Sequence, residues 1–314
     1  MILGTRGSPL ALGQTAWVRR RLRDERPEAV IEVSVIRTTG DRRQAAPPDA
    51  AAAPSGEAGK GIFVKEIEEA MLERRIDAAV HSLKDLPTDQ PDGLLVACIP
   101  CREDPRDVLV TAGGLRLDQL PRGARVGTGS PRRAAQLRCA RPDLVIEPVR
   151  GNVDTRVRRM IEGQFDAVVL AAAGLARLGL ARQGGLPGAA VSPLEPEVCM
   201  PAVGQGALAL EARAGDRDTI ELLRAIADPA ASAEVAAERA FLAGLGGGCT
   251  VPVGALARCP AGGAGTMTLR GIIASIDGTT LLRFEEEGEA EEAEEIGRRL
   301  AARALAAGGG RLLP

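Results

Sequence analysis

Histidine and tyrosine are almost missing from this chain, which has one histidine, His81, no tyrosine and a single tryptophan, Trp17. That scarcity nearly excludes zinc sites built on several histidines and most histidine-based triads. No metal site is expected, and acid–base work falls to carboxylates, lysine or cysteine. Long apolar runs are missing as well, and none approaches the ~20 residues of a membrane-spanning helix. The start, MILGTRGSPL, has no basic stretch followed by a long apolar one. No secretory leader is expected, and the reading is a cytoplasmic protein. Neither sign of charge is in excess. With 40 basic and 42 acidic residues and a formal net charge of −2, nothing draws the chain as a whole to nucleic acid or a membrane.

The 314 residues are 45% hydrophobic, enough for two or three domains with their own cores. Six cysteines stand at 98, 101, 139, 199, 249 and 259, and without a leader they are expected as free thiols. Cys98 and Cys101 form a lone CxxC. With no second pair it makes no zinc ribbon, and it runs into Arg-Glu-Asp-Pro instead of opening a helix as redox motifs do.

The first half carries one plan twice. An apolar strand at Met1–Leu3 leads into Gly4-Thr5-Arg6-Gly7-Ser8-Pro9 and a helix, and RVGTGSP (125–131) leads into RRAAQLRCA. Ser8 and Ser130 read as N-caps, with Pro9 and Pro131 at the first helical position. Second strands follow at 30–38 and 144–150, and third strands at 76–80 and 165–169, each after a helix (63–75 and 153–162). Alternating strands and helices predict parallel sheets with right-handed crossovers. The segment 192–210 is extended and rich in Pro and Gly, and reads as a return across the domain junction. From about 220 the pattern changes to helices near 231–244 and 289–307 and three strands, with Asp277-Gly278 favouring a hairpin. The fold expected is therefore α/β. It has two doubly wound domains of the periplasmic-binding-protein kind around a cleft, and a smaller α/β C-terminal domain with an antiparallel sheet. The boundaries expected are 1–100 with 200–217, then 105–195, then 220–314.

Ligands of doubly wound sheets bind at the carboxyl ends of the strands. Arg6, Arg132, Arg133, Arg150, Arg156 and Arg177 cluster there, and guanidinium groups hold carboxylates in bidentate fashion. A ligand with several carboxylates or phosphates is expected. Asp85, beside Lys84, either answers a developing positive charge or forms an ordinary ion pair with Lys84. His81 reads as structural. Cys249 follows three glycines, which leave its thiol accessible and suited to a covalent role, or it is an incidental cysteine in a turn. The stretch 40–61 lacks periodicity and reads equally as a linker or as a lid carrying Arg42, Arg43 and Lys60.

Seven segments change the balance: GTRGSPLAL (4–12), GKGIFVKE (59–66), AVHSLKDLP (79–87), REDPRD (102–107), RGNVDTR (150–156), PAVGQGA (201–207) and GGC (247–249). In this order they resemble the signature blocks of the porphobilinogen deaminase (hydroxymethylbilane synthase) family across most of the chain. The resemblance implies a monomer that condenses four porphobilinogens head to tail with loss of ammonia. It also implies a dipyrromethane cofactor attached through Cys249. By matching position, it implies that Asp85 is the catalytic aspartate. Lys84, Asp85, Thr128, Ser130, Arg132 and Arg133 are implied as cofactor contacts, and Arg6, Ser8, Arg150, Arg156, Arg177 and Gln205 as substrate contacts. Gly129 stands where the family often has serine, and Pro131 where leucine is frequent. Without the third domain and Cys249, two lobes would equally suit a carboxylate-binding protein.

Overall fold

The computed structural model describes residues 1–41, 64–180, 186–246, 251–260, 262 and 264–313. In chain order its elements begin with β1 (Ile2–Arg6), α1 (Pro9–Glu25), β2 (Glu32–Ile36), α2 (Lys65–Leu72), β3 (Ala78–Ser82) and β4 (Leu94–Cys98). Next come β5 (Asp107–Thr111), β6 (Arg125–Gly127), α3 (Pro131–Ala140), β7 (Val145–Glu147), α4 (Val153–Ile161), β8 (Ala167–Ala171), α5 (Ala172–Arg177) and β9 (Ala190–Leu194). The last are β10 (Leu208–Arg213), α6 (Arg217–Arg224), α7 (Pro229–Gly244), β11 (Val253–Arg258), β12 (Thr266–Ala274), β13 (Leu281–Glu289) and α8 (Ala293–Ala306). Among the described residues no helix is long and apolar enough to cross a membrane. Contacts divide the chain into two units, Met1–Arg102 with Ala207–Ser232, and Glu103–Gly206 with Ala233–Pro314.

The first unit is built on one sheet in the order β2-β1-β3-β10-β4. Successive side chains of β3 alternate between two cores, as strand geometry requires. Ala78 and Val80 join Leu3, Val18, Leu22 and Leu223 beneath α1 and α6, while Ala79 packs with Ile67, Ala70 and Met71 of α2. Helices on both faces make the sheet doubly wound.

The second unit repeats the layout in the order β7-β6-β8-β5-β9. Val108, Val110, Val168 and Leu170 meet Val157 and Met160 of α4, and Leu109, Ala167 and Val169 meet Leu137 of α3. Pro193 sits on β9, at the sheet's edge, where a missing N–H costs no ladder bond. The same unit holds the antiparallel sheet β11-β12-β13, whose core includes Phe241, Leu269, Ile273, Ile296 and Leu300.

Two expectations need correction. Neither large sheet is purely parallel. β1 pairs in parallel with β2 and β3, but β10 runs against both β3 and β4, and β5 runs against β8 and β9. Gly4-Thr5-Arg6 is not a turn but the end of β1. Gly4 is there for space, since a Cβ would lie 2.3 Å from Ile76 Cδ1. Gly127, its counterpart ending β6, would meet Val168 and Phe165 at 3.1–3.2 Å. The repeated glycines serve close packing of the strand.

Candidate active site

The two helix starts form as the sequence predicts. Ser8 caps α1, its Oγ accepting from Ala11 N at 3.3 Å, and Ser130 caps α3, accepting from Arg133 N at 3.5 Å. Thr128 is buried, and its Oγ1 accepts from Ser130 N at 3.2 Å. At Gly129 a Cβ would stand 3.0 Å from the Val149 carbonyl, so the backbone leaves little room for a serine there.

Arg132 and Arg133 occupy the first turn of α3 and are 4% and 6% exposed. Both bind Asp107, the first residue of β5, which is fully buried. Arg132 Nη1 donates to Oδ2 at 2.7 Å. Arg133 Nε and Nη2 donate to Oδ1 at 3.0 and 2.7 Å. Burial alone would raise the Asp107 carboxyl, but the two guanidiniums outweigh it and hold it well below the usual carboxylate range. Gln205, 1% exposed, donates to the same Oδ1 at 2.8 Å and to the Pro105 carbonyl at 2.7 Å.

No motif in the sequence gives Asp107 a role of its own. Its one signal was a lone charge opening the otherwise apolar Asp-Val-Leu-Val-Thr, since a charge in a buried strand demands a cation.

Arg156, near the start of α4, donates from Nε to the Gly151 carbonyl at 2.8 Å. Gly151 makes that turn at φ 111°, a left-handed backbone that favours glycine. Among the described residues no carboxylate pairs with Arg156. Burial first, and then repulsion from Arg133, lower its pKa. Arg150 is exposed at the end of the preceding segment. Arg177 Nη2 donates to the Gly206 carbonyl at 2.7 Å.

In the first unit, Arg6 is held by Asp41 at 2.6 Å, a partner the sequence reading did not find. The residues after β3 form one 3₁₀ turn, Leu83–Asp85. Lys84 is half-buried there and Asp85 exposed, with no hydrogen bond or ion pair to Asp85 among the described residues. The turn is firmly rooted. Gln14 Nε2 donates to Ser82 Oγ at 2.8 Å, and Leu83 N donates to the Ala207 carbonyl at 3.1 Å. His81 is structural, its Nε2 lying 3.0 Å from Oε2 of the buried Glu211.

Glu68 on α2 is pushed up to about 7, by burial first and then by Glu211, with His81 opposing. The folded chain thus keeps this proton from pH 4.5, where the ordinary group would lose it, up to about 7. Stability is lost as pH rises through that window. Glu68→Gln is expected to melt above wild type beyond pH 7 and level with it below 4.5. A difference in melting temperature that does not change with pH would sink this reading.

Cys249, with Gly247 and Gly248, lies outside the described residues, as do residues 42–61 with Arg42, Arg43 and Lys60. The five other cysteines are free.

Residues 1–221 match the family model "Porphobilinogen deaminase, dipyromethane cofactor binding domain". Residues 232–306 match "Porphobilinogen deaminase, C-terminal domain". The chain is 49% identical over 313 residues to the porphobilinogen deaminase of Thermus thermophilus, covering 100% of this chain and 98% of that protein. It is 46% identical over 312 residues to the one from Deinococcus radiodurans, covering 99% and 97%. The chain belongs to the porphobilinogen deaminase family. A solved domain of Bordetella pertussis BvgS is also similar, at 16% identity and TM-score 0.41 over 72% of this chain and 86% of that one, too loose a likeness to bear on function.

As a porphobilinogen deaminase, the protein is a transferase that condenses four porphobilinogens into hydroxymethylbilane with release of ammonia, in tetrapyrrole biosynthesis, on a dipyrromethane cofactor. The second unit fits such a group. Arg132 and Arg133 share one carboxylate, and Arg156 beside them has none among the described residues. The surplus positive charge suits the acetate and propionate groups that pyrroles of this kind carry.

Proposed function

We propose that Asp85 is the catalytic carboxylate of this deaminase, that Cys249 carries the cofactor, and that the arginines hold the carboxylates of cofactor and substrate. Lys84, Thr128, Ser130, Arg132 and Arg133 serve the cofactor. Arg6, Ser8, Arg150, Arg156, Arg177 and Gln205 serve the substrate and the growing chain. The enzyme works as a monomer in the cytoplasm. When bound, the cofactor supplies a nucleophilic pyrrole carbon. Asp85, exposed at the tip of its turn, accepts from pyrrole N–H groups and stabilises the cation left when the substrate loses ammonia. Each arginine then neutralises carboxylates that would otherwise repel one another.

The observation that carries this reading is Arg156, a half-buried guanidinium beside Arg133 with no carboxylate paired to it among the described residues. A cation held that way is poised for an anion. Losing one charge-assisted contact costs about 1.5–3 kcal/mol, roughly ten- to a hundredfold in affinity for the chain. Arg156→Leu is therefore expected to stall during elongation, visible in intact mass as a ladder above the resting protein. Normal turnover with an unchanged mass distribution would count against it.

A further inference from the structure

We infer that Glu211 is a positioning residue for the turn Leu83–Asp85: through its hydrogen bond to His81 it fixes the end of β3 that carries Asp85. This rests on the reading of Asp85 as the catalytic carboxylate.

Asp85 makes no hydrogen bond or ion pair of its own among the described residues, so the backbone of its turn alone aims it. That backbone is held on both faces of the sheet. Side chains of β3 alternate, with Ala78 and Val80 beneath α1 and Ala79 against α2. Ser82 continues the first face and is tied to Gln14 of α1 by bonds of 2.8 and 3.2 Å. His81 continues the second. Its buried side chain has one partner among the described residues, Oε2 of Glu211 at 3.0 Å. Glu211 belongs to β10, whose register sets Ala209 opposite His81 and Glu211 opposite Ala79. The carboxylate therefore reaches diagonally across the ladder to the imidazole. Ala207, just before β10, takes Leu83 N on its carbonyl at 3.1 Å. The same stretch of chain thus grips the end of β3 twice, by a carbonyl and by a carboxylate.

Stability does not account for this pair. Glu211 is fully buried, and its Oε1 meets no hydrogen-bond partner. A buried carboxylate left half satisfied is costly, and an apolar side chain of similar size often serves a core as well or better. The neighbours on this face are Ile67, Ala70, Met71 and Ala79, which would accept one. Glu68 on α2 is a second carboxyl acting on Glu211, so the surroundings oppose a negative charge there. What the carboxylate does contribute is a fixed imidazole at the root of the turn. The pairing of β10 with β4 also slips between Leu210 and Glu211, an irregularity of the kind that clusters beside active sites. Displacing a reacting group by on the order of 1 Å costs about a hundredfold in rate.

The test uses the full chain loaded with cofactor, with turnover of porphobilinogen counted per loaded chain by intact mass. Glu211→Leu removes the bond and is expected to lower kcat at least about tenfold, with KM within about twofold of wild type. Glu211→Gln can still bond His81 and is expected to keep kcat within about threefold of wild type. In an Asp85→Asn background, Glu211→Leu should lower the remaining rate by less than about twofold, because its effect passes through the group already removed. If Glu211→Leu does not fold, His81→Phe, which cannot make the bond, takes its place with the same expectations. An unchanged kcat in the variant without the bond, an equal loss in Glu211→Gln, or a further tenfold loss in the Asp85→Asn background would each overturn the positioning role. Full activity in Asp85→Asn by itself would instead overturn the catalytic reading on which that role rests.

Discussion

Cys249→Ala is expected to fold, to run at the bare sequence mass, and to show no turnover. Access decides which thiol can serve. A thiol that forms a lasting bond to carbon must reach its partner, and its thiolate must be attainable. Cys98 and Cys199 are buried, and burial pushes both thiols up to about 12. Cys259 is also raised, by burial and then by Glu234 and Glu291. Cys101 and Cys139 are exposed, which makes them the serious competitors. Neither has the run Gly246-Gly247-Gly248 before it that lets a ligand approach the backbone closely. Cys101→Ser and Cys139→Ser should therefore keep the full adduct. A complete cofactor mass on Cys249→Ala, or its loss from either serine variant, would move the attachment elsewhere.

Asp85→Asn should lower kcat by a factor on the order of 10²–10³, the range found when one preorganised group facing developing charge is lost. Asparagine keeps the size and some hydrogen bonding but removes the charge. Melting temperature should barely move, because Asp85 is exposed and forms no ion pair among the described residues, and exposed positions away from special contacts tolerate change. Asp85→Glu keeps the charge on a longer arm, so it should retain more activity than Asn. The competing account, an ion pair between Asp85 and Lys84, predicts lower stability and little change in single-turnover rate. Full activity in Asp85→Asn would end the catalytic assignment.

Local chemistry made much of this fold legible. Ser8-Pro9 and Ser130-Pro131 marked two helix starts to the residue, because capping depends only on neighbours. The hairpin at Asp277-Gly278 joins β12 and β13, and its turn is closed by Asp277 Oδ1 accepting from Thr279 N at 3.0 Å. What stayed hidden depended on distant partners. β4 and β5 had no strand reading, since β4 is completed only by β10, and Leu210 pairs with Cys98 across more than a hundred residues of chain. The antiparallel direction of β10 follows from that same return and leaves no local mark. At the site, spacing placed the arginines after the strands but not the carboxylate that two of them share, since Asp107 lies twenty-five residues away from Arg132. Arg6 looked open to an anion, and Asp41 was not foreseen because its pairing closes over a distance of thirty-five residues.

The placing of β10 between β3 and β4 also bears on how the protein is made. On the ribosome, residues 1–102 emerge first, but they lack the strand that both β3 and β4 need as a neighbour. The sheet cannot close until the ribosome has also translated 103–206 and delivered Leu208–Arg213. N-terminal domains usually fold first during synthesis. Here the first unit must wait, with two open strand edges, while the stretch holding Asp107 and its arginines is already complete. A nascent chain stalled before residue 207 should therefore protect β5–β9 from protease while leaving β3 and β4 open to cleavage.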